Sequence, residues 1–437
     1  MDNLNELGAK SLETAKKLGV SGADVLIKTG EGLTLSSQKG TLDKFSISSS
    51  FVLGVRVIKD DRVGISYTEK PMISDIESVV KKAIDVASVS KVDPDQKIVA
   101  SQSLELDEST DQSEIDLQQK TQIALALESD VIKADQRVTS APYNSLSESR
   151  SQTLYMNSLG ANCRETYSGV SCYTSALTSE NGNQAMHYRG SSGKKFADLD
   201  LSGVVQESVQ KSLDLLTATP LESGEYKVLF DLNVLQGLWG CFSGVFSAKG
   251  AQMGLNPWKE KLGQNIGSDL LTVRNVPGHE LAIYRALFDS EGIETKDLVN
   301  IEKGVLKNFF HNTATAKHFG TTSTGHGSRG ARGHLGVSGH MTSIDVGSSN
   351  ENQLENLPHL RVISLQGLHS GTNFISGDFS LGCSGYFNGR CVKDFTLSGN
   401  FYQMLHQIEL LGNKLHASDG KDFFAPKILF SGLKVAS

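Results

Sequence analysis

The fold of this chain is constrained most by the order of its apolar patterns, in which short β-like runs and a few helical segments follow one another without regular alternation. The clearest helix carries apolar residues at the spacing of one helix face: Ile76, Val79, Val80, Ala83, Ile84 and Ala87. Runs typical of strands precede it: Ala23–Lys28, Leu33–Ser37, Leu42–Ser48, Phe51–Ile58 and Val63–Tyr67. A doubly wound fold would alternate strands and helices throughout. The pattern therefore predicts an α+β fold with mixed or antiparallel sheets and flanking helices.

The second half of the chain is rich in Gly, Ser and short β-like runs. These runs are Tyr226–Phe230, Glu280–Phe288, Leu298–Ile301, Val305–Phe310 and Arg361–Leu365. Two helices are also predicted there. One covers about Asn233–Ser247, and the other begins after Asn400 and carries an apolar pattern as far as Leu411. We therefore expect the C-terminal part to be β-rich.

The length of the chain, 437 residues, exceeds what one hydrophobic core ordinarily serves. A helix predicted near Ser202–Leu216 ends before the turn-forming segment Thr217–Pro220. We place a boundary there and predict an N-terminal α+β domain, residues 1–219, and a β-rich C-terminal domain, residues 220–437. The polar, acidic stretch Ser101–Asp116 is predicted to be a loop or linker.

The formal net charge of −7 and the sequence pI of about 5.9 give the chain no general attraction for phosphate backbones. We therefore predict no direct nucleic-acid partner.

The longest apolar stretch, near Val234–Phe246, is too short and too rich in Gly and Ser to span a bilayer. The first residues, Met1–Glu6, lack the basic and apolar pattern of a signal peptide. The chain has five widely spaced cysteines: Cys163, Cys172, Cys241, Cys383 and Cys391. An odd number with this spacing is not typical of a disulfide framework, so we expect a cytoplasmic protein.

Five histidines fall within one Gly-rich window: His311, His318, His326, His334 and His340. Its centre is Thr321–Gly327, where glycines allow main-chain N–H groups to approach a ligand closely. A metal or anion site is one hypothesis for this window. Metal-binding histidines usually have short, regular spacing on a rigid element, which these lack. A surface loop with solvated histidines is the alternative hypothesis.

Two further groups are candidates for catalysis. Cys383 lies in the Gly-rich segment Gly377–Gly385 and would be a nucleophile if a histidine lowered its pKa, whereas a buried, inert thiol is the alternative. Asp289 and Glu291 stand two residues apart, and on a strand both would point to one face and could share acid–base work. The same pair could instead close a turn or bind a main-chain amide.

An ordered set of short motifs runs along the C-terminal half: Phe288-Asp289-Ser290-Glu291-Gly292, Ser323-Thr324-Gly325-His326, Ser376-Gly377-Asp378-Phe379-Ser380 and Leu397-Ser398-Gly399-Asn400-Phe401. The segments Gly22-Ala23-Asp24-Val25 and Gly54-Val55-Arg56-Val57-Ile58 continue the pattern in the N-terminal half. In this order and spacing the motifs resemble the PmbA/TldE branch of the TldD/PmbA family over nearly the whole chain.

The resemblance implies a two-domain α+β fold and a heterodimer of a TldD-like and a TldE-like subunit in the bacterial or archaeal cytosol. It also implies a peptidase complex that acts on unfolded or small peptides. TldD-like members carry an HExxxH helix and a later Cys, which look like zinc ligands with a glutamate base. Family members are also described as modulators of DNA gyrase, through effects on peptide inhibitors of that enzyme.

This chain departs from the family pattern at the zinc helix. The matching stretch, Leu235–Ser243, contains neither His nor Glu, and the stretch that matches the later Cys, Asp419–Phe424, contains no Cys. A catalytic zinc site needs three protein ligands and a base. No metal ligand is therefore carried over to this chain, and zinc is expected in a TldD-like partner.

The leading hypothesis is an accessory subunit that completes a closed peptide chamber with a TldD-like metallopeptidase and is inactive alone. The Gly-rich segments Thr322–Gly339 and Ser376–Gly385 are the predicted lining, with these candidate residues: Ser323, Thr324, His326, Asp378, Ser380 and Ser384. One alternative is a self-sufficient hydrolase that uses Cys383 or the His-rich loop around His326. Another alternative is a regulator that acts by binding directly to the enzyme DNA gyrase. For the isolated chain, the sequence leaves a homodimer open.

Overall fold

The computed structural model describes residues 2–111 and 115–437. In the described N-terminal part, eight strands form one sheet: β1 (Gly22–Gln38), β2 (Thr41–Lys59), β3 (Arg62–Thr68), β4 (Glu105–Glu108), β5 (Val138–Ser140), β6 (Asn144–Asn157), β7 (Asn162–Glu180) and β8 (Asn183–Gly193). The helices that accompany this sheet are α1 (Asp2–Lys17), α2 (Ile73–Val89), α3 (Leu117–Ala134) and α4 (Leu201–Leu216).

The strand order of this sheet is β3-β2-β1-β6-β7-β4, and β5 and β8 also pair with β7. Among the described strands of this sheet, β4 alone runs parallel to its neighbour, and the other pairings are antiparallel. The predicted runs Ala23–Lys28 and Leu33–Ser37 belong to the single strand β1, because the β1–β2 ladder continues through the Gly-rich residues between them. Because neighbouring strands are long, two pairs of helices can pack side by side on one sheet.

The helices cover one face of the sheet in two groups. α1 and α2 pack on one end, and the predicted apolar face of α2 is confirmed as buried: Ile76, Val79, Val80, Ala83 and Ala87. α3 and α4 pack on the other end, around Leu35, Leu146 and Val170. The opposite face of the sheet is left to meet the C-terminal part.

The C-terminal part contains two further six-stranded sheets and a short hairpin. Their strands are β9 (Gly224–Phe230), β10 (Val273–Val276), β11 (Leu298–Glu302), β12 (Val305–Leu306), β13 (Gly327–Ser328), β14 (Gly336–Val337), β15 (Met341–Ile344), β16 (Leu360–Gln366), β17 (Asp378–Phe387), β18 (Arg390–Asn400), β19 (Ile408–Leu411), β20 (His416–Ala417), β21 (Phe423–Ala425) and β22 (Ile428–Ala436). Its helices are α5 (Leu232–Phe242), α6 (Ala248–Gln252), α7 (Thr313–His318), α8 (Glu351–Asn356) and α9 (Phe401–Met404).

One sheet has the order β18-β17-β16-β9-β22-β19, and the other has the order β12-β11-β10-β15-β21-β20. A single large apolar core is shared by both sheets and by α5, whose Leu235, Leu238, Trp239 and Phe242 are buried in it. Since α5 directly follows β9, its first turns emerge at the end of that strand with their polar side chains outside the core. The mixture of helices with mixed and antiparallel sheets confirms the predicted α+β class.

Two predicted elements are wrong. The run Glu280–Phe288 forms no strand; Phe288 makes an isolated bridge to Glu294, while Ile283 and Tyr284 lie against the N-terminal sheet. The predicted helix beyond Asn400 is one α-helical turn, α9, followed by a 3-10 turn and then by β19. The apolar residues of the segment after Asn400 fill the core between the two C-terminal sheets. Tertiary packing therefore overrides the helical spacing of this segment.

Smaller differences affect other predicted elements. The helix expected at Asn233–Ser247 ends at Phe242 and tightens into a 3-10 turn, Ser243–Phe246. The predicted strand Val305–Phe310 is reduced to β12. The predicted linker Ser101–Asp116 contains the short strand β4, and its residues 112–114 lie outside the described residues. The division at residue 219 stays a prediction.

None of the helices in the described part of the chain has the length and apolar character that crossing a bilayer requires.

Candidate functional site

A cavity of ≈ 1110 Å³ lies between the N-terminal sheet and the C-terminal part. β8 and α4 form one wall. The first turns of α5, the middle of β16–β18 and the loop around Asp419 form the other. Most of its walls are regular elements, so the cavity is part of the fold and not a gap between loops.

The two segments that the resemblance placed at the family's zinc site meet at this cavity. Asp419 donates its main-chain N–H to Asn233 Oδ1 at 2.9 Å. The side-chain amide of Gln236, Nε2, donates to Asp422 Oδ1 at 2.8 Å. The first turns of α5 are thus tied to the loop that follows β20, although the two are far apart in sequence.

Ion pairs hold the two walls of the cavity together. Lys211 of α4 contacts Asp231 at 2.7 Å, and Arg361 of β16 contacts the other oxygen of Asp231 at 2.6 Å. Burial acts to raise the pKa of Asp231, but Lys211 and Arg361 together lower it. Arg189 of β8 reaches across to Asp419. Asp231, which precedes α5, therefore forms ion pairs with these cations, and its side chain does not cap the helix.

The side chains at the cavity do not suit a catalytic zinc. Asn233 and Gln236 present amides that are already bonded to the Asp419 loop. His416 lies 2.5 Å from a carboxylate oxygen of Glu351. Within residues 2–111 and 115–437, no group of three or more His, Cys, Asp or Glu is arranged to hold a metal ion. Zinc prefers thiolate, imidazole and carboxylate ligands, so the amides of Asn233 and Gln236 do not fit it.

Cys383 lines the cavity as a buried thiol. Its Sγ donates to the main-chain oxygen of Leu381 at 3.2 Å. Burial raises the pKa of Cys383 to about 12. An activated nucleophile needs the opposite shift, supplied by a neighbouring cation or imidazolium. The geometry therefore favours the inert thiol over the nucleophile.

The predicted lining residues of the segment Ser376–Gly385 share one face of β17. Asp378, Ser380 and Ser384 alternate with core residues, so their side chains point away from the apolar core. Ser384 lines the cavity and its hydroxyl lies 2.6 Å from Ser364 Oγ. Ser380 and Asp378 continue the same polar face to the exposed end of the strand.

The His-rich window lies elsewhere, between the C-terminal part and the N-terminal sheet. His326 is fully buried, and its Nε2 lies 2.8 Å from Asn275 Oδ1. Its Nδ1 faces the hydroxyl of Thr324 at 2.9 Å. Burial, and then the neighbouring His340, lower the pKa of His326 to about 3. The inner histidines therefore act as neutral hydrogen-bonding groups.

The other residues of the window separate into two sets. Ser323 donates its hydroxyl to His311 O at 3.2 Å, so Ser323 and Thr324 brace the loop from inside. His318 and His334 are exposed. None of Ser323, Thr324 and His326 lines the cavity. The structure thus separates the two sets of predicted lining residues.

A buried charged cluster joins the two halves of the molecule, and the sequence analysis missed it. Asp24 of β1 accepts from Arg56 Nε at 2.8 Å and from Arg329 Nη2 at 2.6 Å. The side chains of Asp24 and Arg329 are fully buried. A charged residue inside an apolar strand run, such as Asp24 or Arg56, is the signal that could have found this cluster, since an unpaired buried charge is costly.

The carboxyl pair Asp289 and Glu291 lies beside this cluster in a turn. Asp289 accepts main-chain N–H groups from Glu291 and Gly327, both at 2.8 Å. Glu291 accepts the N–H of Thr313 at 2.8 Å. Burial, and then the neighbouring Glu291, raise the pKa of Asp289 above its ordinary value. The pair therefore binds main-chain amides within a turn, which is the alternative to acid–base catalysis.

Three family models match the chain in sequence order. Those described as PmbA/TldA metallopeptidase domain 1, central domain and C-terminal domain match residues 23–87, 110–216 and 223–437. The metalloprotease PmbA of Escherichia coli O157:H7 is 26% identical over 427 residues, which cover 94% of this chain and 92% of that protein.

Solved structures share the fold of this chain. A protein of Thermotoga maritima, described as a candidate modulator of DNA gyrase, superposes with a TM-score of 0.86 at 25% identity, covering 99% of this chain and 100% of that chain. TldE of Thermococcus kodakarensis shares the fold with a TM-score of 0.84 at 19% identity, with 100% of each chain covered. With three consecutive models matched from residue 23 to residue 437, the chain belongs to the PmbA/TldD metallopeptidase family.

Proposed function

We propose that this protein is an accessory subunit of a TldD/TldE-type peptidase that acts on unfolded or small peptides. In this proposal it forms part of the peptide chamber and is inactive alone. The observation that carries the proposal is the contact between α5 and the Asp419 loop. The resemblance matches Leu235–Ser243 and Asp419–Phe424 to the family's zinc site, and Gln236 of the first segment donates its side-chain amide to Asp422 of the second.

The chemistry of that contact supports a role without catalysis. A zinc peptidase needs three ligands and a base that activates the bound water. Asn233 and Gln236 cannot act as that base, because a side-chain amide does not take up a proton near neutral pH. Peptide-bond cleavage would then depend on zinc held by a TldD-like partner.

We assign the chamber wall to the polar face of β17. Asp378 and Ser380 are exposed, and Ser384 opens into the cavity. Asp378 and Ser380 are accessible to a peptide main chain, whereas Ser384 is buried and its hydroxyl is hydrogen-bonded to Ser364. Ser323, Thr324 and His326 would support the fold behind the wall, because their hydrogen bonds are made within their own loop and to Asn275.

We also propose that the complex works in the cytoplasm. All five cysteines are free, and three of them, Cys163, Cys172 and Cys383, are buried. Burial raises the pKa of each of these three thiols. Thiols in this state fit a reducing compartment.

The test compares this chain alone, a TldD-like protein from the same genome alone, and the two mixed. Each sample is incubated with an unfolded peptide, with and without a zinc chelator, and cleavage is followed by mass spectrometry. The proposal expects cleavage by the mixture, no cleavage by this chain, and loss of cleavage with chelator.

Cleavage by this chain alone would support the self-sufficient hydrolase instead. A Cys383→Ser variant then shows whether that thiol is the nucleophile. No gain in the rate or range of cleavage on adding this chain to the TldD-like protein contradicts the accessory role. A gyrase-binding regulator would become the stronger hypothesis in that case.

A further inference from the structure

A second cavity lies beside the one described above. Its volume is ≈ 1190 Å³, and it is bounded by the outer side of α4, the loop between α8 and β16, and the β17–β18 turn. Exposed residues such as Gln206, Gln210 and Asn388 line it, so we call it the outer cavity. The cavity that Cys383 and Asp419 line is the inner cavity. Both occupy the cleft between α4 and the C-terminal part.

The two cavities share three lining residues, and each of them has a charged side chain: Glu207, Lys211 and Arg361. Lys211 and Arg361 are both paired with Asp231, which lines the inner cavity but not the outer one. Lys211 also contacts Glu207 at 2.6 Å. Ion-paired side chains therefore form the partition between the cavities.

A second ion pair lies along the same boundary. Glu355 lines the outer cavity and Lys427 lines the inner cavity, and Lys427 Nζ lies 2.6 Å from Glu355 Oε1. The same carboxylate oxygen lies 3.9 Å from Arg361 Nη1. Both signs of charge are thus present along the whole boundary between the cavities.

The ion pairs of the partition keep some contact with water. The side chains of Lys211 and Asp231 are 13% and 15% exposed, and that of Arg361 is 39% exposed. Apolar residues of similar volume would hold the cleft closed at least as well as such pairs do. Opening an apolar wall would expose apolar surface to water, whereas opening ion pairs exchanges one polar partner for another. The partition can therefore open by rotation of side chains.

We infer that this partition closes a side passage between the inner and outer cavities, and that short peptides with free termini leave the chamber through it. Such a peptide carries an ammonium and a carboxylate. The ammonium can pair with Asp231, and the carboxylate with Lys211 or Arg361, so that no charge lacks a partner while the partition is open. Each cavity exceeds an ordinary small-molecule site of roughly 300–1,000 Å³, so either can hold a short peptide.

The inference rests on the proposed function for the peptide chamber, and it adds a route out of that chamber. The first test needs no cleavage. The full-length protein, alone and mixed with the TldD-like protein, is treated with N-ethylmaleimide, and peptide mass spectrometry follows the modification of each cysteine. Cys383 reports on the inner cavity. Cys163, which is buried against Tyr155 and Phe288, is the internal control.

A triple variant, with Lys211→Ala, Asp231→Asn and Arg361→Ala, removes the partition and leaves no unpaired charge at residue 231. In the mixture we expect Cys383 of this variant to be modified about tenfold faster than Cys383 of the wild-type chain, because closure by partly exposed ion pairs is weak. The modification rate of Cys163 should stay the same. Equal rates for Cys383 in the two proteins would overturn the inference.

Lys227→Ala is the matched control, because Lys227 pairs with Glu409 at the surface and lines neither cavity. It should keep the wild-type rate at Cys383. Should the triple variant fail to fold, salt tests the wild-type protein instead. The reagent is uncharged and salt screens the partly exposed pairs, so Cys383 modification relative to Cys163 should rise with ionic strength. A ratio that is independent of salt would contradict the passage.

The second test measures which peptides cross. The mixed subunits cleave an unfolded peptide with free termini, or the same peptide with an acetylated N-terminus and an amidated C-terminus, whose products each carry one terminal charge instead of two. Rapid-quench sampling separates the single-turnover rate from the steady-state rate, which includes product release.

With the wild-type chain, we expect the ratio of steady-state to single-turnover rate to be about threefold lower for the capped peptide, because its products replace fewer of the partition's ion pairs. With the triple variant the two peptides should give the same ratio. Equal ratios for the two peptides with the wild-type chain would overturn the inference.

The outcomes keep the inference and the proposed function apart. Faster modification of Cys383 in the triple variant, without cleavage by the mixed subunits, would leave the passage standing and remove the accessory role. Cleavage by the mixture, with Cys383 modified at the same rate in the triple variant and the wild-type chain, would leave the accessory role standing and remove the passage.

Discussion

Asp24 and Arg329 come from opposite halves of the chain and have no exposed side-chain surface where they meet. Arg56 completes the group, and its Nη1 has no hydrogen-bond partner among the described residues. Taking such charges out of water is costly, and the cost is recovered only while each charge keeps its counter-charge. The cluster therefore joins the N-terminal sheet to the segment after β13 in one specific arrangement.

Replacing Arg329 by alanine should destabilise the protein strongly. Asp24 would lose one of its two cations in a fully buried site, and breaking a buried pair costs roughly 3–5 kcal/mol. Urea unfolding followed by circular dichroism measures the change. Arg332→Ala is the matched control, since Arg332 pairs with Glu69 at the surface and such pairs contribute about 1 kcal/mol or less. Equal effects of the two substitutions would contradict this view of the cluster.

His326 should make stability depend on pH. Burial lowers its folded-state pKa to about 3, below the ordinary value near 6.5 of the unfolded chain. The unfolded state therefore binds more protons between these values, and stability present above about pH 6.5 is lost as the pH falls, by about 1.4 kcal/mol per pH unit. The advantage of wild type over His326→Gln should shrink from pH 6.5 to pH 4 in urea unfolding. A constant difference across this range would rule out a neutral, buried His326.

At the scale of single elements, two glycines show how the environment sets the effect of one methyl group. Gly240 lies on the exposed side of α5, and an added Cβ would meet no atom within 4 Å. Gly54 of β2 lies against the main chain of Ala331, and an added Cβ would come within 1.7 Å of that carbonyl oxygen. β2 thus approaches the C-terminal part at a distance that only glycine allows.

Gly240→Ala should therefore stabilise the protein by about 0.5–1 kcal/mol, because alanine loses less conformational entropy in a helix. Gly54→Ala should destabilise it by roughly 1–3 kcal/mol, because the main chain must move to relieve the clash. Thermal unfolding of both variants measures the two shifts. Opposite signs are expected, and a loss of stability in Gly240→Ala would indicate that this face of α5 is covered in solution.

The elements also show what the sequence predicts and what it leaves open. The amphipathic spacing of α2 predicts both its existence and its buried face, because this helix packs on one sheet with one side. The segment after Asn400 has a similar apolar spacing, yet Ile408–Leu411 forms β19 against β22. Local spacing cannot distinguish these outcomes, since the second depends on a strand that lies later in the chain.

At the scale of the whole molecule, the candidate site forms where the two halves meet. Arg189 and Lys211 belong to the N-terminal part, and they contact Asp419 and Asp231 of the C-terminal part. The family resemblance indicated which C-terminal segments would form this site. The contribution of β8 was not predicted, because it depends on how the N-terminal sheet is placed against α5.

The central claim is that this chain contributes to a peptidase without holding its zinc. Counting zinc in the purified chain, and in its complex with a TldD-like subunit, by inductively coupled plasma mass spectrometry tests this claim most directly. The account predicts no stoichiometric zinc in the chain alone and zinc in the complex that disappears when the HExxxH histidines of the partner are replaced. Stoichiometric zinc in the chain alone would contradict it.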